Sequence, residues 1–150
     1  MKKLTQLIAA LLLITALPLQ AGNDELVMMR SSQSFPETML ALQKTIGEYG
    51  YTVSRVQRVD IGLTSSGFAT DKYRIVFFGK PEEVRQLSAR YPQLIPYLPL
   101  KITLFAEQEE TLLTTFDPTL LTELAADEEF RIQAMRWRSD IIDIFDELRE

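Results

Sequence analysis

The chain has no histidine and no cysteine in its 150 residues. Each absence removes chemistry. Histidine is the side chain that titrates near neutral pH without help from its surroundings. Without it and without a thiol, the common nucleophile–base pairs cannot be assembled. Catalytic zinc sites ordinarily take at least one of the two as ligand. Thioether haem attachment and thiolate-held iron–sulfur clusters are excluded. No cofactor and no metal is expected. No disulfide can staple the fold, so stability must rest on the hydrophobic core. Cysteine is also the attachment point of a lipoprotein anchor, which is therefore excluded. Positive charge is scarce as well, with 16 basic residues against 21 acidic ones. Nucleic-acid affinity comes mainly from neutralising phosphates, and anionic membrane surfaces attract basic segments. Neither partner suits an acidic chain.

What is present starts with residues 1–21, MKKLTQLIAALLLITALPLQA. Lys2 and Lys3 form a positive start, Leu4 to Leu17 is uncharged and mostly apolar, Pro18 breaks the run, and Ala21 is a small residue before a polar stretch. That order is the pattern of a secretory signal peptide cleaved after Ala21. The alternative is a retained membrane anchor, but spanning a bilayer takes about 20 apolar residues. The expected mature protein starts at Gly22, works in the periplasm or outside the cell, and keeps no stable membrane association. Losing Lys2 and Lys3 takes the 16 basic residues to 14 against 21 acidic, a formal charge of −7. The remaining length suits one domain.

Leu26 to Arg30 reads as an edge strand after a polar leader. Ser34 and Glu37 have capping-box spacing, and Pro36 falls in the first turn, where its missing N–H is harmless. Phe35, Met39, Leu42, Ile46 and Tyr49 recur at helical spacing, and Gly50 supplies the stop. Tyr51 to Ile61 reads as a valine-rich strand, Gly62 to Thr70 as a small-residue loop, and Tyr73 to Phe78 as a second strand. Gly79, Lys80 and Pro81 turn the chain into a helix that ends at Pro92. Gln93 to Pro99 reads as an irregular apolar segment. Leu100 to Glu107 alternates cleanly and pairs through Gln108–Glu109 with Glu110 to Phe116 as a hairpin. Thr119 to Ala126 is expected as a short helix. Glu128 to Leu148 is expected as a long one, with Phe130, Ala134, Trp137, Ile141, Ile144, Phe145 and Leu148 along one side. The expected fold class is α+β: a mostly antiparallel sheet of about four to five strands, helices packed on one face, and a long C-terminal helix. The expected divisions are 1–21 signal peptide, 22–34 leader and edge strand, 35–118 α+β domain, and 119–150 helical extension.

The stretch from Phe35 to about Pro118 resembles the family called domain of unknown function 302. The resemblance rests on a helix followed by Gly50-Tyr51-Thr52-Val53, on Val59-Asp60, on FFGKPEE (Phe77 to Glu83), and on LPLKI (Leu98 to Ile102) leading into a hairpin. It implies a small, often dimeric α+β fold without an established activity. Many members carry a histidine after the aspartate of the second strand, where this chain has Ile61 and Gly62.

Asp60, the Gly62–Gly67 loop, Arg74, Lys80 and Tyr97 are the candidate ligand-binding residues. Arg74 and Lys80 suit a small anion, with loop N–H groups assisting. The alternative is that Arg74 pairs with a neighbouring carboxylate and Lys80 is solvated. Two acidic clusters, Glu107, Glu109, Glu110 and Asp127, Glu128, Glu129, lack calcium-loop spacing. They read as a charged turn and a helix start. The wide apolar stripe of the last helix, through Ile142, Ile144 or Phe145, suggests a homodimer; an envelope protein is the other candidate partner. The preferred reading is an exported, non-enzymatic binding or interaction module. The alternative is a hydrolase- or isomerase-like enzyme using carboxylate or tyrosine acid–base chemistry, with Asp60, Tyr73 and Glu107 as candidates. A carboxylate of strongly raised pKa in a pocket favours the enzyme.

Overall fold

The computed structural model describes residues 25–149; the expected signal peptide and its cleavage site lie outside them. Strand β1 (Leu26–Ser31) leads into helix α1 (Phe35–Glu48). The Ser34 backbone N–H donates to Glu37 Oε2 at 3.1 Å, closing the expected capping box. Gly50 follows α1 at a φ of 77°, a left-handed conformation that costs glycine nothing. Next come β2 (Thr52–Arg58), α2 (Val59–Ser65), β3 (Tyr73–Gly79) and α3 (Pro81–Arg90). A 3₁₀ helix (Pro92–Tyr97) leads to the hairpin of β4 (Leu100–Glu107) and β5 (Glu110–Phe116). A second 3₁₀ helix (Pro118–Glu123) precedes the long helix α4 (Glu128–Glu147).

Three expectations differ from these elements. The strand expected to run to Ile61 ends at Arg58, and Val59–Ser65 is helical. The side chains of Thr64 and Ser65 bond back to the carbonyls of Asp60 and Gly62, closing turns that a β-rich composition hides. The irregular segment after Pro92 forms a 3₁₀ turn that sinks Leu94 into the core. The short helix expected over Thr119–Ala126 is 3₁₀ and ends at Glu123.

The five strands form one antiparallel sheet in the order β1-β5-β4-β3-β2. Register puts Val76, Phe78, Leu100, Ile102, Leu104, Leu113 and Met29 on one face. All of them are buried, together with Leu42 and Ile46 of α1 and the α4 stripe from Phe130 to Leu148. The long helix is therefore integral to the core, which takes up its stripe except at Ile142. Of the three residues expected to pair two chains, Ile144 and Phe145 are at most 1% exposed, and only Ile142 is partly open. Helix α3 lies outside α4, joined through Glu83–Arg136 and the Tyr91–Phe130 ring contact.

The opposite face carries Tyr73, Ile75, Phe77, Phe105, Leu112 and Phe116, all only partly buried. Met28 and Leu26 beside them are 43% and 41% exposed. The fold class is thus α+β, with the two long helices on one sheet face.

Candidate functional site

Asp60 and Arg74 meet. An Arg74 guanidinium nitrogen bonds an Asp60 carboxylate oxygen, and both side chains are 15% exposed. Asp60 sits in the first turn of α2 and Arg74 near the start of β3, so the α2 turn is what joins them. The hydrogen bond from Arg74 holds the Asp60 carboxyl below its ordinary range, burial opposing. Arg74 and Lys72 also lie 5.9 Å from the centre of the Phe35 ring.

Lys80 does not join this pair. It follows β3 at the far end of the strand, six positions from Arg74, about 20 Å away at the rise of a β-strand. Its ammonium lies 4.9 Å over the Tyr51 ring instead. Tyr97 closes the first 3₁₀ helix and meets Phe116 edge-on, at a centroid distance of 6.4 Å. The Gly62–Gly67 stretch is split between α2 and a turn at Gly67. The expected anion site is therefore not assembled: its two cations stand at opposite ends of one strand.

The acidic clusters are satisfied locally. Glu107 accepts from Arg30 Nε at 2.7 Å, with Glu110 4.0 Å from the same nitrogen. Asp127 accepts from the Glu129 and Phe130 N–H groups as the cap of α4. These backbone bonds, with Arg90 close by, hold its carboxyl low. Glu128 is bonded by Arg131. Among the described residues, no three acidic side chains converge as metal ligands. Of the enzyme candidates, Tyr73 lies edge-on to Phe105, while Asp60 and Glu107 are each committed to an arginine.

Several pairs escaped the sequence reading because long separations join them. Trp137 Nε1 donates to Glu83 Oε1 at 2.8 Å, and Arg136 takes the other carboxylate oxygen. The Tyr51 hydroxyl donates to Asp140; burial first, then this bond, push its pKa well above the usual phenol value. Arg138 Nε reaches Asp117 Oδ2 at 2.6 Å. Burial pushes Asp117 up, but its bonds to Thr119 and Arg138 outweigh it, and its carboxyl is held low. No spacing rule in the sequence signals these contacts.

Among the concave features of the described residues, three adjoin these groups. A cleft of about 360 Å³ between α3 and α4 is lined by Lys80, Glu83, Arg90, Tyr91, Phe130 and Gln133, and its charges are largely paired. A shallower apolar groove of about 410 Å³ lies between Tyr97, Phe116, Leu120 and Leu124, continuous with the partly exposed sheet face. A notch of about 160 Å³ sits at the start of β2, between Thr52, Ser54, Gly79, Pro81, Val84 and Pro99.

A crystal structure of an uncharacterized conserved DUF302 protein from Bacillus stearothermophilus is similar to this chain, with a TM-score of 0.74 at 19% identity. The similarity covers 83% of this chain and 98% of that one. The comparison with curated proteins yields no match. The model of the family described as domain of unknown function DUF302 matches residues 27–148, from β1 through the end of α4. The chain belongs to the DUF302 family.

Proposed function

We propose that this protein is an exported, non-enzymatic interaction module whose contact surface is the helix-free face of its sheet. The observation that carries the reading is the chemistry of that face. Tyr73, Ile75, Phe77, Phe105, Leu112 and Phe116 stand on that face around Thr103 and Thr114, joined at the β1 edge by Leu26 and Met28. An apolar patch spread over adjacent strands is the usual mark of a protein-binding surface. The charged groups favour the same reading. Glu37, Asp60, Glu82, Asp117, Asp127 and Glu128 are all held below their ordinary values, ionised rather than poised as general acids. The order of charge, apolar run and small residues over 1–21 supports export to the periplasm.

A second copy of the chain suits this face. Arg55, Phe77 and Lys101 share one rung near one end of the strands, and Glu107 and Glu110 share a rung at the other. A twofold axis lying in the plane of the face-to-face contact, perpendicular to the strands, brings the basic end of each sheet over the acidic end of its mate. The alternative occupant is another envelope protein.

The test compares the mature wild-type protein with Phe105→Glu. Light scattering on the wild type should give twice the chain mass or, in an envelope fraction, the protein should capture a partner identified by mass spectrometry. Phe105→Glu should abolish either result while the far-ultraviolet circular dichroism stays the same. A wild-type mass of about 15 kDa, the value for one mature chain, together with no partner lost on Phe105→Glu, would falsify the reading.

A further inference from the structure

Strand β2 lies at the end of the sheet and pairs only with β3, so its outer row of N–H and C=O groups is unpaired by any other strand. Such an edge is a template for another strand. Its chemistry is unusual for this molecule. The segment TVSRVQR carries two arginines and no acid, although the chain as a whole is acidic. Every other described arginine holds a carboxylate. Arg55 bonds only Gln57 Oε1, and Arg58 is exposed without an ion pair among the described residues.

Both guanidinium groups flank the free edge, Arg55 on the apolar sheet face and Arg58 on the core face, in register with Phe77 and Arg74. At the start of the same edge is the notch between Gly79, Pro81, Val84 and Pro99, with room for one aliphatic side chain. Ser54, the extra residue of the bulge between Val53 and Arg55, forms one wall.

We propose that β2 is a strand-addition site for an extended acidic segment of another protein, with an aliphatic side chain of that segment seated in the notch. Backbone bonding along the edge supplies affinity, and pockets and charges at alternate positions supply selectivity. A second copy of this chain is the wrong occupant. Two β2 strands paired about a twofold axis bring four arginines and no acid into one short ladder, and like charges across a strand pair repel. The arginines and the bulge thus turn away the protein's own edge and neutral strands, while carboxylates facing Arg55 and Arg58 complete both ion pairs. The inference goes beyond the open-face reading and uses the free edge of the sheet, sharing only Arg55 with that face.

The probe is a synthetic eight-residue peptide with glutamates on both of its faces, so that Arg55 and Arg58 can each meet a carboxylate, and a valine where it reaches the notch; its counterpart carries lysine in place of each glutamate. Fluorescence anisotropy with the mature protein should show binding of the glutamate peptide alone, and the amides of β2 should gain protection from hydrogen exchange. The double variant Arg55→Glu/Arg58→Glu should weaken that binding about tenfold or more and bind the lysine peptide instead. Ser54→Leu, which fills the notch, should weaken it as well. Unchanged thermal unfolding of these exposed-site variants confirms that the fold is intact. No binding of the glutamate peptide at millimolar concentration, or binding indifferent to the charge reversal, overturns the proposal. Glutamate-peptide binding that is lost on Phe105→Glu yet kept by both Arg58→Glu and Ser54→Leu would place the peptide on the open face and overturn this proposal, leaving the open-face reading standing.

Discussion

The indole of Trp137 and the carboxylate of Glu83 face each other between α4 and α3, Nε1 donating to Oε1 at 2.8 Å. Trp137 is 1% exposed, so its N–H has no water to fall back on. The same carboxylate holds Arg136, which makes Glu83 the joint between the outer helix and the core helix. Glu83→Leu should cost about 2 kcal/mol, the range for stranding a buried donor. Urea unfolding followed by Trp137 fluorescence measures it, since the chain has one tryptophan. A loss near zero would mean that the joint contributes no net stability.

Asp60 gives an acid-side prediction. Its carboxyl is held low by Arg74, so its folded pKa lies below its unfolded one. Its stabilising effect is present above the unfolded value, about 3.9, and is lost as pH falls through the folded value. Arg74→Gln should therefore destabilise the protein at neutral pH, and the gap from wild type should narrow as Asp60 becomes protonated in both states. Denaturation at pH 7 and at pH 3 checks it; a gap of equal size at both would show that the carboxylate charge is not involved.

Tyr51 gives the alkaline counterpart. Burial and Asp140 raise its pKa, so the folded state keeps a proton that the unfolded state loses near pH 10. The stabilisation is complete below that pH and fades as pH rises. In an absorbance titration Tyr51 should form tyrosinate only as the protein unfolds. Tyr51→Phe should flatten the alkaline fall in stability. A wild type whose tyrosines all titrate near pH 10 in the folded state would contradict this.

Gly79 closes β3 against α3. A Cβ there would sit 2.9 Å from Val84 Cγ2 and 3.5 Å from Pro99 Cβ. Gly79→Ala should destabilise by about 1–3 kcal/mol through overpacking. Adding Val84→Ala removes the obstructing methyl, so the double variant should lose less than the two single losses combined. Strict additivity in thermal unfolding would place the cost elsewhere.

Local signals carried much of the architecture. The Ser34–Glu37 box, the alternation from Leu100 to Ala106 and the stripe from Phe130 to Leu148 are each enforced within one element, and each appears in the fold. Val59 to Ile61 misled because β-branched residues favour strands, whereas the local side-chain bonds of Thr64 and Ser65 and the pairing of Asp60 with Arg74 suit a helical turn. For the site, Arg74 and its carboxylate neighbour were legible as a pair. The grouping of Arg74 with Lys80 was not sound, because the length of β3 keeps them apart. The free edge of β2 was invisible for a different reason: strand order is a property of the whole sheet, and no segment encodes it alone.

That strand order also sets a schedule. The first strand of the sheet, Leu26–Ser31, has one partner, and that partner is the last strand, Glu110–Phe116. Loop closure over so long a stretch is slow and unrewarded until both ends are present. A chain delivered from its N-terminus by a ribosome cannot seat β1 until β5 has emerged, and α4 follows later still. Completion of the core thus waits for the last strand and the last helix.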